Sequence, residues 1–295
     1  MVRDNPLGES ECTVSEALSF AEVELAGAGI AKPRREAASL LTYALGRDRA
    51  FLVAHPEFLI PAASIEWFED AVARRAEREP FHYVVGWKEF YGLRIEVSRA
   101  VLIPRPETEL LAEHAISLIE HQQQPVFCEV GIGSGCISAA ILSNVPLAFG
   151  IGLEISTEAI AVARRNFERL GIASRIEVRQ SDVFASVGSG ERFDLIVSNP
   201  PYVPALELLQ LQREVRQYEP HIALTDGGDG YSVIRRLIAG SPSLLSPGGY
   251  LSLEVGFGQS ETVVQMFDPA AWDDVSLNTD LQGIDRVITA RSRAK

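Results

Sequence analysis

Four consecutive residues, Asn199, Pro200, Pro201 and Tyr202, place a carboxamide, a backbone carbonyl and a phenol ring in one short segment directly after the apolar run FDLIV. Proline fixes its own φ angle, donates no hydrogen bond and pushes the preceding residue toward an extended conformation. Asn199 therefore cannot continue into a helix, and the three groups are expected to share one rigid loop at the carboxyl end of a strand. Open α/β sheets bind ligands at that end, whereas an isolated Pro-Pro pair is more often a simple chain-terminating turn. The neighbouring motifs must decide between the two.

A glycine-rich segment, EVGIGSG, follows an earlier apolar run and opens a helix. Glycines in such a loop let the backbone approach a ligand closely. The dinucleotide fingerprint G-x-G-x-x-G requires its third glycine at the position of Cys136, and this departure disfavours a pyrophosphate ligand. The loop suits the smaller amino-acid portion of S-adenosylmethionine as well as a phosphate. The candidate cofactor contacts in this loop are Gly131, Ile132, Gly133, Ser134 and Gly135.

Two acidic residues follow the next two predicted strands. Glu154 ends the apolar run in GLEIS, about twenty residues after the glycine loop, where a carboxylate can accept hydrogen bonds from two ribose hydroxyls. Asp182 could accept from an adenine amino group, with Val183 as an apolar neighbour of the base, although a helix cap or turn explains Asp182 nearly as well. A nucleoside ligand along one sheet edge accounts for the glycine loop, Glu154, Asp182 and Asn199 together, whereas NAD leaves the glycine pattern and the proline loop unexplained.

These motifs require a sheet that brings several strand ends to one edge. From Pro125 onward, short apolar runs alternate with helical segments, which predicts an α/β fold with a doubly wound, mainly parallel sheet. Seven strands are expected, near VFCEV, AFGIGLEI, RIEVRQ, FDLIVS, GYLSLEV, DVSLNT and DRVITA.

The residues before this sheet are predicted to form a separate helical region. Thr13 and Glu16 match the capping box, Pro33 fits the start of a helix that runs to Gly46, and a third helix is expected over residues 64–79. From His82 the apolar residues alternate around a glycine, which predicts a hairpin. We therefore predict a helical domain over residues 1–81, a β-hairpin linker over 82–103 and a catalytic domain over 104–295.

Composition limits the function further. The chain of 295 residues carries 40 acidic and 27 basic residues, a formal net charge of −13, which argues against nucleic acid as the main partner. The N-terminal residues lack the apolar core of a signal peptide, and no apolar run reaches the ~18 residues of a membrane span. A cytoplasmic protein without membrane association is expected. Three cysteines without CxxC spacing indicate neither a disulfide framework nor a zinc site.

With these motifs, the sequence resembles the class I S-adenosylmethionine-dependent methyltransferases. NPPY is similar to the motif shared by enzymes that methylate planar amide or amino nitrogens. Two longer stretches closely resemble the peptide chain release factor glutamine methyltransferases, the PrmC or HemK family: EPFHYVVGWKEFYGLRIEVSRAVLIPRPETELL and EVRQYEPHIALTDGGDGYSVIRRLI. Glu129 and Glu154 stand where the family more often has Asp, and Val183 where it often has an aromatic residue. These exchanges preserve charge or apolarity.

The resemblance implies the reaction and the roles of the proline loop. The methyl group of S-adenosylmethionine would pass to the side-chain amide N5 of the glutamine in the Gly-Gly-Gln motif of class I release factors, with S-adenosylhomocysteine as the product. Asn199 and the Pro200 carbonyl would accept from the substrate NH2, with Pro201 stiffening the loop and Tyr202 packing against the amide. No metal is required, because the N-methylated amide is acidic enough to lose its proton to water.

The resemblance also extends to the segment RPETE. Arg105 and Glu107 would close over the cofactor or contact the incoming substrate loop. A plain helix start explains them equally well, with Pro106 at its first position and Glu107 favourable to the helix dipole.

Other activities remain open at this level. Glutamine methylation of ribosomal protein L3 is the nearest alternative, and an N6-adenine nucleic-acid methyltransferase could use the same loop on a flipped base. A catalytically silent adaptor would not need an intact Asn199, Glu154 and glycine loop. The favoured prediction is a monomer that acts on release factors, without direct nucleic-acid binding.

Overall fold

The computed structural model describes residues 12–293, which divide into two compact units, one ending at Gly86 and the other beginning at Trp87. The helices of the first unit are α1 (Val14–Gly27), α2 (Pro33–Leu45), α3 (Arg49–Ala54), α4 (Ala62–Ala76) and α5 (Phe81–Val85). The predicted capping box is confirmed, since Glu16 N–H donates to the Thr13 hydroxyl and Thr13 N–H donates to the Glu16 carboxylate at 2.9 Å. The predicted helix from Pro33 is confirmed as well, and Gly46 ends it with φ of 61°.

A hairpin opens the second unit, with β1 (Trp87–Phe90) antiparallel to β2 (Leu93–Glu96). Its two turn residues, Tyr91 and Gly92, both have positive φ angles, as the tight hairpin turns that match strand twist require. The Tyr91 N–H donates to Glu109 at 2.9 Å, which ties the turn to the following helix. The hairpin is shorter than the predicted linker over 82–103. The expectation of strand from His82 is wrong, because residues 81–85 form α5 after Pro80 and stop at Gly86 in the left-handed conformation.

The rest of the second unit has an α/β fold, a seven-stranded sheet with helices between its strands. Its elements are α6 (Pro106–Ile119), β3 (Val126–Val130), α7 (Cys136–Asn144), β4 (Phe149–Glu154), α8 (Thr157–Arg169), β5 (Ile176–Gln180), β6 (Phe193–Ser198), α9 (Arg213–Tyr218), α10 (Ser232–Gly240), β7 (Leu245–Glu254), α11 (Ser260–Val264), β8 (Trp272–Thr279) and β9 (Asp285–Ser292). The seven strands lie in the order β5-β4-β3-β6-β7-β9-β8. Strands β3 to β7 pair in parallel, and β9 pairs antiparallel with both β7 and β8.

The predicted fold class, a doubly wound and mainly parallel seven-stranded sheet, is confirmed. Central strands read as continuous apolar runs because helices cover both of their faces, and Leu195, Ile196 and Val197 of β6 are fully buried. The chain moves outward from β3 to β4 and β5, then returns to β6 on the other side of β3. The strand order therefore reverses between β3 and β6, and ligands of open α/β sheets bind outside the strand ends at such a point. None of the helices among residues 12–293 is both long enough and apolar enough to cross a membrane.

Candidate active site

A cavity of about 310 Å³ opens at the carboxyl ends of β3, β4 and β6. Most of the residues that the sequence singled out line it: Arg105, Gly131, Ile132, Gly133, Ser134, Glu154, Asp182, Val183, Asn199, Pro200 and Pro201. The other three predicted site residues, Glu107, Gly135 and Tyr202, do not line the cavity. The topology thus brings four separate motifs to one place.

The glycine loop between β3 and α7 is shaped by its backbone. Gly133 has φ of 53°, and a Cβ there would meet nothing closer than 3.9 Å, so the loop leaves open space on this side. Gly135 serves packing instead. It has φ of 78°, and a Cβ there would lie 2.5 Å from the ring of the buried Phe167. Glycine is therefore required at 135 by the helix behind the loop, and its predicted contact with a cofactor stays a prediction.

Glu154 holds the loop in place from the end of β4. Its Oε2 accepts from the Gly133 N–H at 2.9 Å, and its Oε1 accepts from the Ser156 N–H at 3.0 Å. The side chain is nearly buried, yet each carboxylate oxygen can accept a second hydrogen bond. The arrangement leaves an oriented pair of acceptors at the cavity wall, which suits a vicinal diol.

A second carboxyl group, Glu129, was not assigned a role from the sequence, although it stands two residues before the glycine loop. It is 1% exposed and lines the cavity. Its Oε2 accepts from the Ser138 N–H at 2.8 Å and from the Ser138 hydroxyl. Burial raises the pKa of Glu129 to about 8, against the opposing effect of Ser138. A cationic ligand group beside it would favour the ionised form, so this end of the cavity suits an ammonium.

The loop after β5 is strained. Val183 has φ of 49°, a conformation that a β-branched residue rarely adopts. The Ser181 hydroxyl donates to the Val183 carbonyl at 2.8 Å and accepts from the Ser186 N–H at 3.0 Å, which stabilises this turn. Asp182 pairs with Arg236 at 2.8 Å. The carboxylate is therefore partly committed before any base contacts it, and its predicted adenine contact stays a prediction.

The proline loop leaves β6 in a fixed orientation. The Ser198 hydroxyl donates to the Val130 carbonyl at 2.7 Å, which joins the ends of β6 and β3. The Asn199 Nδ2 donates to the Thr108 hydroxyl at 3.1 Å. Among the described residues nothing donates to Asn199 Oδ1 or to the Pro200 carbonyl. Two acceptors beside the cavity are therefore available to a ligand. Thr108 lies within RPETE, and the sequence offers no local sign of its contact with a residue so distant in the chain.

Tyr202 is held from behind this loop. Its hydroxyl donates to the buried Glu254 at 3.1 Å, and its carbonyl accepts from Gln259 Nε2 at 2.9 Å. Burial raises the pKa of Tyr202, and the adjacent Glu254 raises it further. The ring packs against the apolar core of the sheet. Tyr202 thus anchors the loop, and its predicted contact with a substrate amide stays a prediction.

Arg105 lines the cavity but already has a partner. Its guanidinium contacts Glu219 at 2.6 Å, and the Glu219 side chain is 1% exposed. The same carboxylate accepts from the Ile103 N–H at 3.2 Å. The pair therefore fastens the segment before α6 to the end of α9. Glu107 lies off the cavity at the start of α6, where the helix-start interpretation accounts for it.

Comparison with known proteins identifies the family. A family model described as "PrmC N-terminal domain" matches residues 16–86, and one described as "Methyltransferase small domain" matches residues 107–244. A release factor glutamine methyltransferase from Cereibacter sphaeroides is 43% identical over 94% of this chain and 98% of its own length. One from Geobacter sulfurreducens is 41% identical over 95% of this chain and 96% of its own length. The chain belongs to the release factor glutamine methyltransferase family. A methyltransferase crystal structure from Pyrococcus furiosus shares the fold, with a TM-score of 0.52 at 19% identity over 70% of this chain and 92% of that chain.

Enzymes of this family use S-adenosylmethionine, and the cavity fits that molecule. The buried Glu129 suits its amino group, the paired acceptors of Glu154 suit its ribose hydroxyls, and the open side of the glycine loop leaves room for its amino-acid portion. Asp182 and Val183 line the same cavity, and their predicted contact with the adenine base stays a prediction. The described residues contain no group of three or more His, Cys, Asp or Glu side chains that could hold a metal ion.

Proposed function

We propose that this protein transfers a methyl group from S-adenosylmethionine to the side-chain amide N5 of the glutamine in the Gly-Gly-Gln motif of class I peptide chain release factors. The observation that carries the proposal is the pair of uncommitted acceptors, Asn199 Oδ1 and the Pro200 carbonyl, at the edge of the cavity. Two acceptors on one rigid loop match the two N–H groups of a primary carboxamide. Membership of the release factor glutamine methyltransferase family supports this choice of substrate.

The chemistry explains why rigid acceptors are needed. The lone pair of an amide nitrogen is delocalised into its carbonyl, so the nitrogen is a weak nucleophile and positioning must supply much of the rate. Bound S-adenosylmethionine supplies an electrophilic methyl group on a sulfonium. Asn199 and Pro200 would fix the substrate nitrogen in line with that group and favour the positive charge that develops on it. Because this charge is absent from the ground state, the two acceptors would raise the rate more than the affinity.

The surroundings of the loop keep these acceptors in place. Proline at 200 and 201 restricts the backbone, Gln259 binds the Tyr202 carbonyl, and Glu254 binds the Tyr202 hydroxyl. A Cβ at Gly230 would lie 2.2 Å from the Tyr202 carbonyl oxygen. The loop is therefore packed tightly against the residues behind it, so the acceptors are held in place before substrate arrives.

The first unit has a separate role in this proposal. Residues 16–86 match the model of the PrmC N-terminal domain, and we assign to this helical unit the docking of the release factor. The protein would act as a cytoplasmic monomer on a protein substrate, without direct contact with nucleic acid. Size-exclusion chromatography with light scattering tests the monomer, and a dimer at micromolar concentration would contradict it.

A side-by-side methylation assay tests the activity. The protein is incubated with methyl-labelled S-adenosylmethionine and, separately, with unmodified release factor, ribosomal protein L3 and duplex DNA. Label is expected in the release factor alone, on the glutamine of Gly-Gly-Gln, as located by mass spectrometry. A release factor with that glutamine replaced by alanine is the matched control and should take up no label. Equal or greater labelling of L3 or DNA would contradict the proposal.

A further inference from the structure

The Asn199 carboxamide can serve the proposed reaction in only one of its two orientations, and the following inference rests on that reaction. The substrate amide presents N–H donors, so the end of Asn199 that faces it must be the acceptor Oδ1 and not the donor Nδ2. Turning the amide over changes only its hydrogen-bond partners. The protein must therefore distinguish the two ends through those partners, and Thr108 lies 3.1 Å from Nδ2.

A threonine hydroxyl does not distinguish the two ends of an amide by itself. It can accept from Nδ2 or, after its own hydrogen rotates, donate to Oδ1. The orientation of Asn199 therefore depends on the direction in which the hydroxyl hydrogen of Thr108 points. Thr108 is 3% exposed, so water is not a ready partner for that hydrogen.

The carboxyl end of β7 supplies a group that can take this hydrogen. Glu254 is 1% exposed, and its Oε1 accepts from the Tyr202 hydroxyl at 3.1 Å. Its Oε2 is buried and has no hydrogen-bond partner among the described residues. A buried carboxylate oxygen without a donor is costly.

Thr108 is the hydroxyl placed to supply the missing donor. Burial raises the pKa of Glu254, and the hydroxyls of Thr108 and Tyr202 act in the opposite direction. Among the described residues no hydrogen bond reaches Oε2. A donor at Oε2 would remove the cost of leaving this oxygen unpaired. Arg286 on β9 also favours the charged carboxylate, whereas Glu107 at the start of α6 opposes it.

We propose that Thr108 donates its hydroxyl hydrogen to Glu254 and accepts from Asn199, and that this one-way chain of hydrogen bonds holds Asn199 Oδ1 toward the cavity. Thr108 acts through Asn199 and is a positioning residue for the methyl transfer. Glu254 lies outside the cavity lining and positions the same amide indirectly, through Thr108. The proposal gives a physical reason for the family resemblance at RPETE, because the threonine of that segment fixes which end of the Asn199 carboxamide faces the cavity.

Substitution of Thr108 separates this role from simple packing. Thr108→Val keeps the shape and removes the hydroxyl, so we expect kcat for release factor methylation to fall by ~10- to 100-fold. The KM for release factor and the Kd for S-adenosylhomocysteine should change by less than about threefold, because Asn199 Oδ1 acts mainly on charge that develops in the transition state. Thr108→Ser restores the hydroxyl and should recover most of the lost kcat. Glu254→Gln, which can donate toward Thr108, should also lower kcat.

A matched control measures the loss of stability that follows when any buried threonine hydroxyl is removed. Thr289 is 5% exposed, and its hydroxyl pairs with Ser252 at 3.1 Å on β9 and β7. Thr289→Val should lower the melting temperature about as much as Thr108→Val and leave kcat within about twofold of the unchanged protein. If the Thr108 variants fail to fold, Glu254→Gln carries the same test.

One readout does not depend on the methylation reaction. In nitrogen-15 NMR spectra, the side-chain NH2 signal of Asn199, assigned through Asn199→Asp, should exchange slowly with solvent in the unchanged protein and at least about tenfold faster in Thr108→Val. If the unchanged protein methylates no release factor, the proposed function fails, and this exchange measurement still decides the positioning role. A folded Thr108→Val protein with unchanged kcat and unchanged amide exchange would overturn the inference, as would a Ser variant as impaired as the Val variant.

Discussion

Replacing Gly135 with alanine is expected to destabilise the catalytic unit by roughly 2–5 kcal/mol, from two sources that can be separated. The residue has φ of 78°, and a left-handed conformation costs a non-glycine residue ~1–2 kcal/mol. The new Cβ would lie 2.5 Å from one ring atom of Phe167 and 2.8 Å from another. Overpacking of this kind in a filled core costs ~1–3 kcal/mol. Urea denaturation followed by circular dichroism measures the sum.

Two variants test the reasoning behind that figure. Gly133→Ala carries a positive φ without a close neighbour, the nearest atom being 3.9 Å away, so it should cost only ~1–2 kcal/mol. Phe167→Leu in the Gly135→Ala background should relieve the clash, with a coupling energy of at least ~1 kcal/mol between the two substitutions. The reasoning fails if Gly135→Ala is as mild as Gly133→Ala, or if the two substitutions at 135 and 167 are additive.

The remaining predictions concern two buried polar side chains. Asn166 accepts from the Glu96 N–H at 2.7 Å and donates to the Glu96 and Ser134 carbonyls at 3.0 and 2.9 Å. Asn166→Ala should therefore lower the free energy of unfolding by ~2–4 kcal/mol, because one buried and two partly buried backbone groups lose their partner. A loss below ~1 kcal/mol would contradict this. The stability that a protonated Glu129 contributes is fully present below about pH 4.5 and is lost as the pH rises through about 8. Melting temperatures of the ligand-free protein should therefore fall over this range, and Glu129→Gln should fall less; parallel curves for the two proteins would count against the assignment.

The sheet could be predicted from the sequence because buried parallel strands produce short apolar runs that are visible locally. The central strands β3, β4 and β6 appear as apolar runs, and the covered faces of the sheet explain why those runs do not alternate. The edge strand β5 alternates buried and exposed residues instead. The capping box at Thr13 and the helix end at Gly46 were equally local, since both depend on residues within a few positions. The glycine loop and Glu154 could be paired because a parallel sheet brings successive strand ends to the same edge.

The contacts that orient the site could not be predicted, because they join residues that are far apart in the sequence. Thr108 and Asn199 are separated by 91 positions, and Tyr202 and Glu254 by 52. Local sequence does not show that the Tyr202 hydroxyl points to the core, because its partner comes from the next strand of the sheet. The short helix α5 was missed for a different reason: its apolar residues at 83–85 are all buried, and so short a run does not distinguish a helix from a strand.

Methyl transfer by Asn199→Ala under single-turnover conditions tests most directly whether rigid acceptors on the proline loop carry the reaction. With S-adenosylmethionine and release factor both saturating, the rate constant is expected to fall by at least ~100-fold, as for loss of a preorganised group that acts on developing charge. Calorimetric titration with S-adenosylhomocysteine on the same preparation should show a Kd within about threefold of the unchanged protein. A variant that keeps its rate constant, or that loses cofactor affinity as severely as rate, would contradict the account.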